Sequence, residues 1–301
     1  MSVVLLSLIV TLATAQAVAP MKLAPAVADS LKAAIEKDRK DTEDWLAHNG
    51  TSYLAAVARR DFGARTTLTV GRAEDNDVRV DEPAVMAHHL TVTVAGDSFR
   101  VQAVDEGATF KVRDQVMRSA TLSPQTIFFG RYALRLSHQG YPALIVFDSQ
   151  AAGYSRYHGL KWFPVDFNYR YEVALDPSAK QDTVVILATH SQPRRAVRVG
   201  WFNFKVGSAA CCLEATRLLE PGVGEKDVSV FFRDATTGKE SYTVGRYVEP
   251  ERLPDGRFVL DFNNAYNPAC AVSDYYNCPI PTKANTLKVA IRAGEMDAHY
   301  H

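Results

Sequence analysis

Beyond residue 64, apolar residues recur at every second position along much of the chain. Leu68-Val70, Val92-Val94, Phe99-Val101, Phe110-Val112 and Tyr132-Leu134-Leu136 alternate with other neighbours, the pattern of strands with one face in a core. The alternation resumes at Tyr169-Tyr171-Val173, Val184-Ile186 and Val197-Val199-Trp201, then changes phase at Phe202-Phe204-Val206. A phase change with no turn between predicts a β-bulge, because one extra residue swaps the face that each side chain occupies. Val228-Val230-Phe232, Tyr242-Val244, Phe258-Leu260-Phe262 and Leu287-Val289-Ile291 complete the series, with turn signals at Thr237-Gly238 and Pro254-Asp255-Gly256. Many short strands at this spacing predict a mostly β chain built of sandwiches or barrels. Residues 26–47 differ. Val27, Leu31 and Ile35 fall at helical spacing, followed by Trp45 and Leu46, while Lys32, Glu36, Lys37, Asp38, Arg39, Lys40 and Asp41 read as a solvated face. Asp29 or Ser30 is the expected cap of this one N-terminal helix, and Asn49-Gly50 its end.

The first residues follow neither period. Val3 to Ala13 is an apolar run broken only by Ser7 and Thr11, and it leads to Ala15-Gln16-Ala17, a small-x-small sequence that signal peptidase accepts. No Lys or Arg precedes it, so the terminal amine is the one positive group there. The expectation is a signal peptide over residues 1–17, a mature chain starting near Val18, and a periplasmic or secreted protein. No later apolar run has the length of a bilayer-spanning helix, so no integral membrane segment is expected in the mature chain.

Export changes the reading of the cysteines, since paired thiols oxidise outside the cytosol. Cys270 and Cys278 close a short, turn-rich loop, and a disulfide there would contribute about 2–3 kcal/mol on the chain-entropy model. Cys211 and Cys212 are adjacent, point to opposite faces of a strand, and are expected to stay unbridged. Neither the cysteines nor Asp297-x-His299-x-His301 is read as a metal site, and no cofactor is expected.

The 301 residues carry 34 basic and 34 acidic side chains, with 47% hydrophobic and 10% aromatic residues. Such a balance excludes a disordered chain and gives no basic footprint for nucleic acid. Two β domains are expected after the helical segment 18–50, one over residues 51–140 and one over 141–301. No nucleophile elbow, P-loop, His-Glu-x-x-His or dinucleotide fingerprint occurs.

Gly71-Arg72-Ala-Glu-Asp-Asn-Asp77-Val78, with Val104-Asp105-Glu-Gly-Ala-Thr109-Phe110, Thr121-Leu122 and Ile127-Phe-Phe-Gly130-Arg131 in order, resembles the forkhead-associated (FHA) family over residues 64–138. The resemblance implies a β-sandwich whose loops in that family read phosphothreonine. Arg72 and His88 match the family's binding residues, but Val85 stands where its serine should be and Gly107 where its asparagine should be. A phosphate needs several convergent donors, so a structural or interaction role is expected instead.

Between Val228 and Glu295 lies the densest polar set. It runs Phe232-Arg233-Asp234-x-Thr236-x-Gly238, Tyr242, Gly245-Arg246-Tyr247, Leu260-Asp261-Phe262-Asn263, Ala265-Tyr266-Asn267-Pro268, Asn285 and Ala293-Gly294-Glu295. With Trp45 and His158-Gly159-Leu-Lys-Trp-Phe163-Pro164-Val-Asp166, it resembles a bacterial family known as domain of unknown function 1684, over about residues 40–297. Asp261 and Asn263 alternate with Phe262 and so share a face opposite that ring, while Arg246 can pair with Asp234 or with Asp261. Asp234, Tyr242, Arg246, Asp261, Asn263, Tyr266 and Asn267 are the candidate ligand-binding residues. The function expected is a non-catalytic cell-envelope protein that binds a small molecule or an envelope protein partner. The alternative is a hydrolase using Asp234 and Asp261 as an acid/base pair.

Overall fold

The structure, a computed structural model, describes residues 16–300. The expected apolar signal run Val3–Ala13 therefore lies outside the described residues, as does His301. The helix α1 spans Pro25–His48 and starts a turn before the expected cap. Pro25 sits in its first turn, where a missing N–H costs nothing, and Ala24 makes no side-chain cap, so neither Asp29 nor Ser30 plays that part. Ile35 and Leu46 are buried, while Val27 is exposed.

Eleven strands follow: β1 (Ala56–Asp61), β2 (Thr67–Gly71), β3 (Val78–Arg79), β4 (Leu90–Ala95), β5 (Ser98–Ala103), β6 (Phe110–Val112), β7 (Gln115–Met117), β8 (Ser119–Leu122), β9 (Thr126–Phe129), β10 (Tyr132–His138) and β11 (Pro142–Asp148). They form a five-stranded sheet in the order β3-β2-β4-β5-β8 and a six-stranded sheet in the order β1-β11-β10-β9-β6-β7. All pairings are antiparallel except β2 with β3. The inward residues of both sheets share one core, with Leu68, Val92, Phe99 and Val101 from the first and Phe110, Ile127, Leu134 and Val146 from the second. This is a β-sandwich. Next to it, His89 is buried and its Nε2 donates to Thr109 O at 2.9 Å, while His88 faces outward.

β11 completes the six-stranded sheet from beyond the expected boundary at residue 140. Its centre, Ala143 to Phe147, is buried at every position. Leu144 and Val146 enter the sandwich core, and Ala143, Ile145 and Phe147 turn the other way. Ile145 and Phe147 meet Ala55, Ala133 and the half-buried Tyr275 and Tyr276 of the C-terminal half. A strand buried on both faces reads as a continuous apolar run, which carries no period to assign it to one layer.

The C-terminal half contains β12 (Arg170–Val173), β13 (Leu175–Pro177), β14 (Thr183–Ile186), β15 (Arg194–Val206), β16 (Ala209–Leu218), β17 (Val230–Phe232), β18 (Arg246–Val248), β19 (Glu251–Arg252) and β20 (Phe258–Asp261). The long β15–β16 hairpin carries β13 and β14 on its far edge, and β12-β20-β19 forms a separate sheet. The phase change expected at Phe202 comes earlier, as a register shift between Arg198 and Gly200, which leaves Val199 and Trp201 half-buried. A Cβ on Gly200 would meet Asp176 O at 2.2 Å, so only glycine lets β13 close against the bulge. Phe262 lies at the centre of the second core, 5.2–6.2 Å from the rings of Phe232, Phe204 and Tyr171. Burying rings of this size contributes about 2–3 kcal/mol each.

Two expected strands are absent. Tyr242-Val244 is a turn closed by Gly245 N–H to Tyr242 O at 3.0 Å. Leu287 and Ile291 are buried as their alternation requires, yet the segment between them is irregular. Its backbone bonds go to Arg233 and Ala235 singly, and the Ile291 carbonyl goes to a side chain. Ahead of α1, Val18 lies parallel to β15, donating to Asn203 O and accepting from Lys205 N–H. Among the described residues, no helix is long and apolar enough to cross a membrane.

Candidate functional site

The polar residues of the C-terminal half fall into three groups, and the third lines a cleft. The first is built on Arg246, which is fully buried. Its Nη2 donates to Ile291 O at 2.7 Å and its Nη1 to Ala293 O at 2.5 Å and Glu295 O at 3.3 Å. Asp234 Oδ2 lies 3.4 Å from Nη2 and also accepts from Ile291 N–H at 2.5 Å. Asp234 Oδ1 accepts from Thr236 and Thr237 hydroxyls. The guanidinium is bracketed by the Phe163 and Phe232 rings, and burial pushes its pKa down while Asp234 holds it charged. Arg246 therefore pairs with Asp234, and the pair clamps residues 291–295 in place.

The second group surrounds Asp261. Its Oδ2 is paired with Arg170, and its Oδ1 accepts from Asn263 N–H at 3.0 Å and Nδ2 at 2.8 Å. Asn263 in turn exchanges both bonds with the Asp166 backbone, 2.8 Å to N and 3.0 Å to O. Asp234 and Asp261 are thus both occupied by structural partners, and neither lines the cleft described next.

That cleft, of about 430 Å³, separates α1 from the C-terminal half. On the helix side stand Asp38, Arg39 and Trp45, and on the other Trp162, Tyr266, Asn267 and Glu295. Arg39 spans it at one end, donating to Phe163 O at 3.0 Å and Asn263 O at 3.2 Å with its guanidinium 4.9 Å from the Trp162 ring. Trp162 Nε1 donates back to Glu43 at 3.1 Å. Asn267, 8% exposed, gives its backbone N–H to Glu295 Oε2 at 2.8 Å. Its Nδ2 goes to Glu295 Oε1 at 3.0 Å and Met296 O at 2.8 Å. With both amide hydrogens committed to oxygens, the side chain cannot flip, and its Oδ1 has no partner. Arg39 Nε is likewise buried and unpartnered. Both atoms are out of reach of solvent, and leaving them unmet costs about 1–3 kcal/mol each.

Glu295 is 5% exposed, and burial pushes its carboxyl up to about 7, against the pull of the Asn267 N–H groups and of Arg246. Gly294 positions it. A Cβ there would lie 2.4 Å from Ala265 O, at a φ of +80° that glycine alone adopts freely.

Of the sequence candidates, Asn263, Tyr266 and Asn267 line the cleft, whereas Asp234, Tyr242, Arg246 and Asp261 do not. Tyr266 reaches Glu249 through its hydroxyl at 2.9 Å, and Tyr242 donates to Cys270 O at 3.1 Å. Burial raises both phenols well above their ordinary value. The expected Cys270–Cys278 disulfide is not formed. Cys270 N–H donates to Cys278 Sγ at 3.3 Å, and Thr189 and Tyr242 hold the loop by hydrogen bonds instead. Arg39, Trp45, Trp162 and Glu295 were not among the candidates. Glu295 had a signal, as the lone acid of Ala293-Gly294-Glu295, but Arg39 is hidden in a charge run that reads as solvated. A second cleft, of about 510 Å³, borders Tyr53, His158 and Tyr300, where backbone carbonyls hold both rings' polar atoms. Among the described residues, no three His, Cys, Asp or Glu side chains gather as a metal site.

Parts of the chain resemble known proteins. Residues 155–296 match the family described as Protein of unknown function (DUF1684). An uncharacterised protein of Haloarcula marismortui, with a solution NMR structure, is 37% identical over 49% of this chain and 80% of that one, with a TM-score of 0.40. Mycobacterium tuberculosis EmbR, solved in complex with a low affinity phosphopeptide, is 18% identical over 46% of this chain and 34% of that one, with a TM-score of 0.22. No curated protein matches the chain. The family match includes the Asn267–Glu295 wall of the cleft but not the α1 wall.

Two measurements check these assignments. Asp234→Asn or Arg246→Gln should each lower unfolding stability by about 3–5 kcal/mol in urea, and the double variant should cost far less than their sum. The second concerns Glu295. A folded-state pKa above the unfolded one makes its contribution complete below about pH 4.5 and progressively lost as pH rises to 7. Between pH 4.5 and 7.5 the wild type should lose about 3 kcal/mol more stability than Glu295→Gln, and parallel pH profiles of melting temperature would contradict this.

Proposed function

We propose that the protein is exported to the cell envelope and binds a small molecule, without catalysis, in the cleft between α1 and the C-terminal half. One observation carries the reading: a cleft of about 430 Å³ whose walls bring Trp45, Trp162 and Tyr266 together with Arg39 and Glu295. Binding sites are concave, largely apolar and fitted with a few fixed polar groups, and aromatic walls with Arg39, Asn267 and Glu295 meet that description. A hydrolase using Asp234 and Asp261 lacks this support, because a general acid or base must reach the substrate and both carboxylates are enclosed by their own partners.

In this reading residues 51–140, with β11, form an FHA-like sandwich that supports the binding half or contacts an envelope partner. Val85, in the place of the family's serine, is 1% exposed and apolar, so it offers a phosphate no donor. Export is supported by the apolar start of the chain and by Val18, the expected first mature residue, which already pairs with β15.

The cleft is tested by a thermal-shift screen of sugars, nucleosides, amines and organic acids. Compounds that stabilise the wild type should lose that effect in Trp45→Leu, and equal stabilisation of both proteins would rule the cleft out. Export is tested by mass spectrometry of the protein from the periplasm or medium of an expressing host. The amino-terminal peptide should begin near Val18, and an intact Met1 in that fraction would contradict the assignment.

A further inference from the structure

The outer face of the six-stranded sheet meets the C-terminal half. One row of paired positions crosses that face: Arg59 on β1, Ile145 on β11, Arg135 on β10 and Thr126 on β9. Ile145 and its neighbours Ala133 and Phe147 are buried at the joint. Arg135 stands among them and is exposed, in a third cleft of about 350 Å³ between the sheet and residues 269–277.

The two arginines differ in what holds them. Arg59 donates to Asp61 Oδ1 through Nε at 3.1 Å and Nη2 at 2.7 Å, and through Nη1 to Tyr275 O at 3.2 Å. Arg135 has no hydrogen bond, ion pair or ring contact among the described residues. Tyr53, Tyr276, Ser137 and Thr126 line the same cleft, and among the described residues their hydroxyls have no hydrogen-bond partner either. These four hydroxyls keep accessible surface, unlike the sealed Asn267 Oδ1 and Arg39 Nε. Burial raises the Tyr53 and Tyr276 phenols and the Arg135 charge pulls both back, so one guanidinium acts on both.

The cleft thus gathers donors around one positive charge, and no Asp or Glu is among its lining residues. A cation would stand beside Arg135 without a counter-charge. A neutral ligand would offer the guanidinium no more than water does. An oxyanion accepts from the guanidinium fork and from O–H groups, which bond more strongly to a charged acceptor. Several convergent donors are what a phosphate requires, and the loops around Arg72 and His88, on the other sheet, lack them. Trp45 and Ala269, both half-buried, add apolar surface, and the volume suits a body of about one ring.

We propose that this cleft is a second binding site, for a small organic anion whose carboxylate or phosphate group is held by Arg135, Tyr53 and Tyr276 and whose apolar body lies against Trp45. Arg135 belongs to the sandwich and Tyr276 to the C-terminal half, so the anion ties the two together across their joint. Trp45 and Tyr53 line this cleft and the one beside α1, whereas Arg135 lines this one alone of the two. Substitution of Arg135 therefore separates them.

The test titrates the full chain at low ionic strength with benzoate, phenylacetate and phenyl phosphate, by calorimetry and thermal shift. Inorganic phosphate, benzamide and benzylamine form the comparison set. At least one aromatic anion should bind more tightly than all three of these, weaken on adding salt, and lose at least about tenfold in affinity in Arg135→Gln. Arg135 has no partner to lose, so that variant should keep the wild-type melting temperature in the absence of ligand. Tyr276→Phe keeps the ring and removes the hydroxyl, and should weaken binding severalfold, while Arg72→Ala should leave it unchanged. Preference between benzoate and phenyl phosphate identifies the head group. The proposal is overturned if no aromatic anion binds, if benzamide or inorganic phosphate binds as well, or if affinity survives in Arg135→Gln. Binding lost in Arg72→Ala instead would move the anion to the other sheet's loops and overturn it equally.

Discussion

A guanidinium removed from water has to be met by oxygens, and Arg246 finds them on the last irregular stretch of the chain. Carbonyls of Ile291, Ala293 and Glu295 converge on it, with Asp234 supplying the balancing charge. Taking such a pair out of water is expensive, so its role is specificity rather than stability: it permits one path for residues 291–295 and no other. The position of the Glu295 side chain follows from that path. So does the close approach of Gly294 to Ala265 and Phe262, which brings the site against the aromatic core.

The cleft is consequently a joint product. One wall is fixed from inside the C-terminal half by Arg246 and the Asp261–Asn263–Asp166 bonds. The other is carried by α1, which is held across the gap chiefly by Arg39 to Phe163 and Asn263 and by Trp162 to Glu43. These half-buried bonds act together with the buried Ile35 and Leu46 and with the Trp45–Tyr53 ring contact, so the α1 wall is held by apolar as well as polar contacts.

How much of this the sequence discloses depends on the period. The sandwich strands alternate and were legible, as was the bulge in β15, because burial on one face leaves a two-residue rhythm. Residues 242–244 and 287–291 alternate too but are not strands. Their inward residues are buried as expected, while their carbonyls serve Arg246 or a turn rather than a neighbouring strand, and hydrophobic rhythm does not report where a carbonyl goes. In the candidate site, Asn263, Tyr266 and Asn267 stood out as polar residues at strand ends. Arg39 did not, since on a helix its neighbours in sequence are mostly solvated, and only the tertiary fold reveals which member of a charge run turns inward.

β11 joins the two halves in a way that bears on how the chain can be divided. Its inward face belongs to the sandwich and its outward face meets Tyr275 and Tyr276, so it is a party wall between two cores. A fragment ending at residue 140 would strip β10 of its partner and leave the sandwich open along Leu134 and Leu136. A fragment beginning at residue 141 would carry Leu144 and Val146 into water. Either cut exposes an apolar strand edge of the kind that seeds aggregation. A division respecting the wall falls after Asp148, and even then each piece presents the other's missing face. Because one strand is packed into both cores, stability lost in the sandwich is expected to reach the neighbouring half.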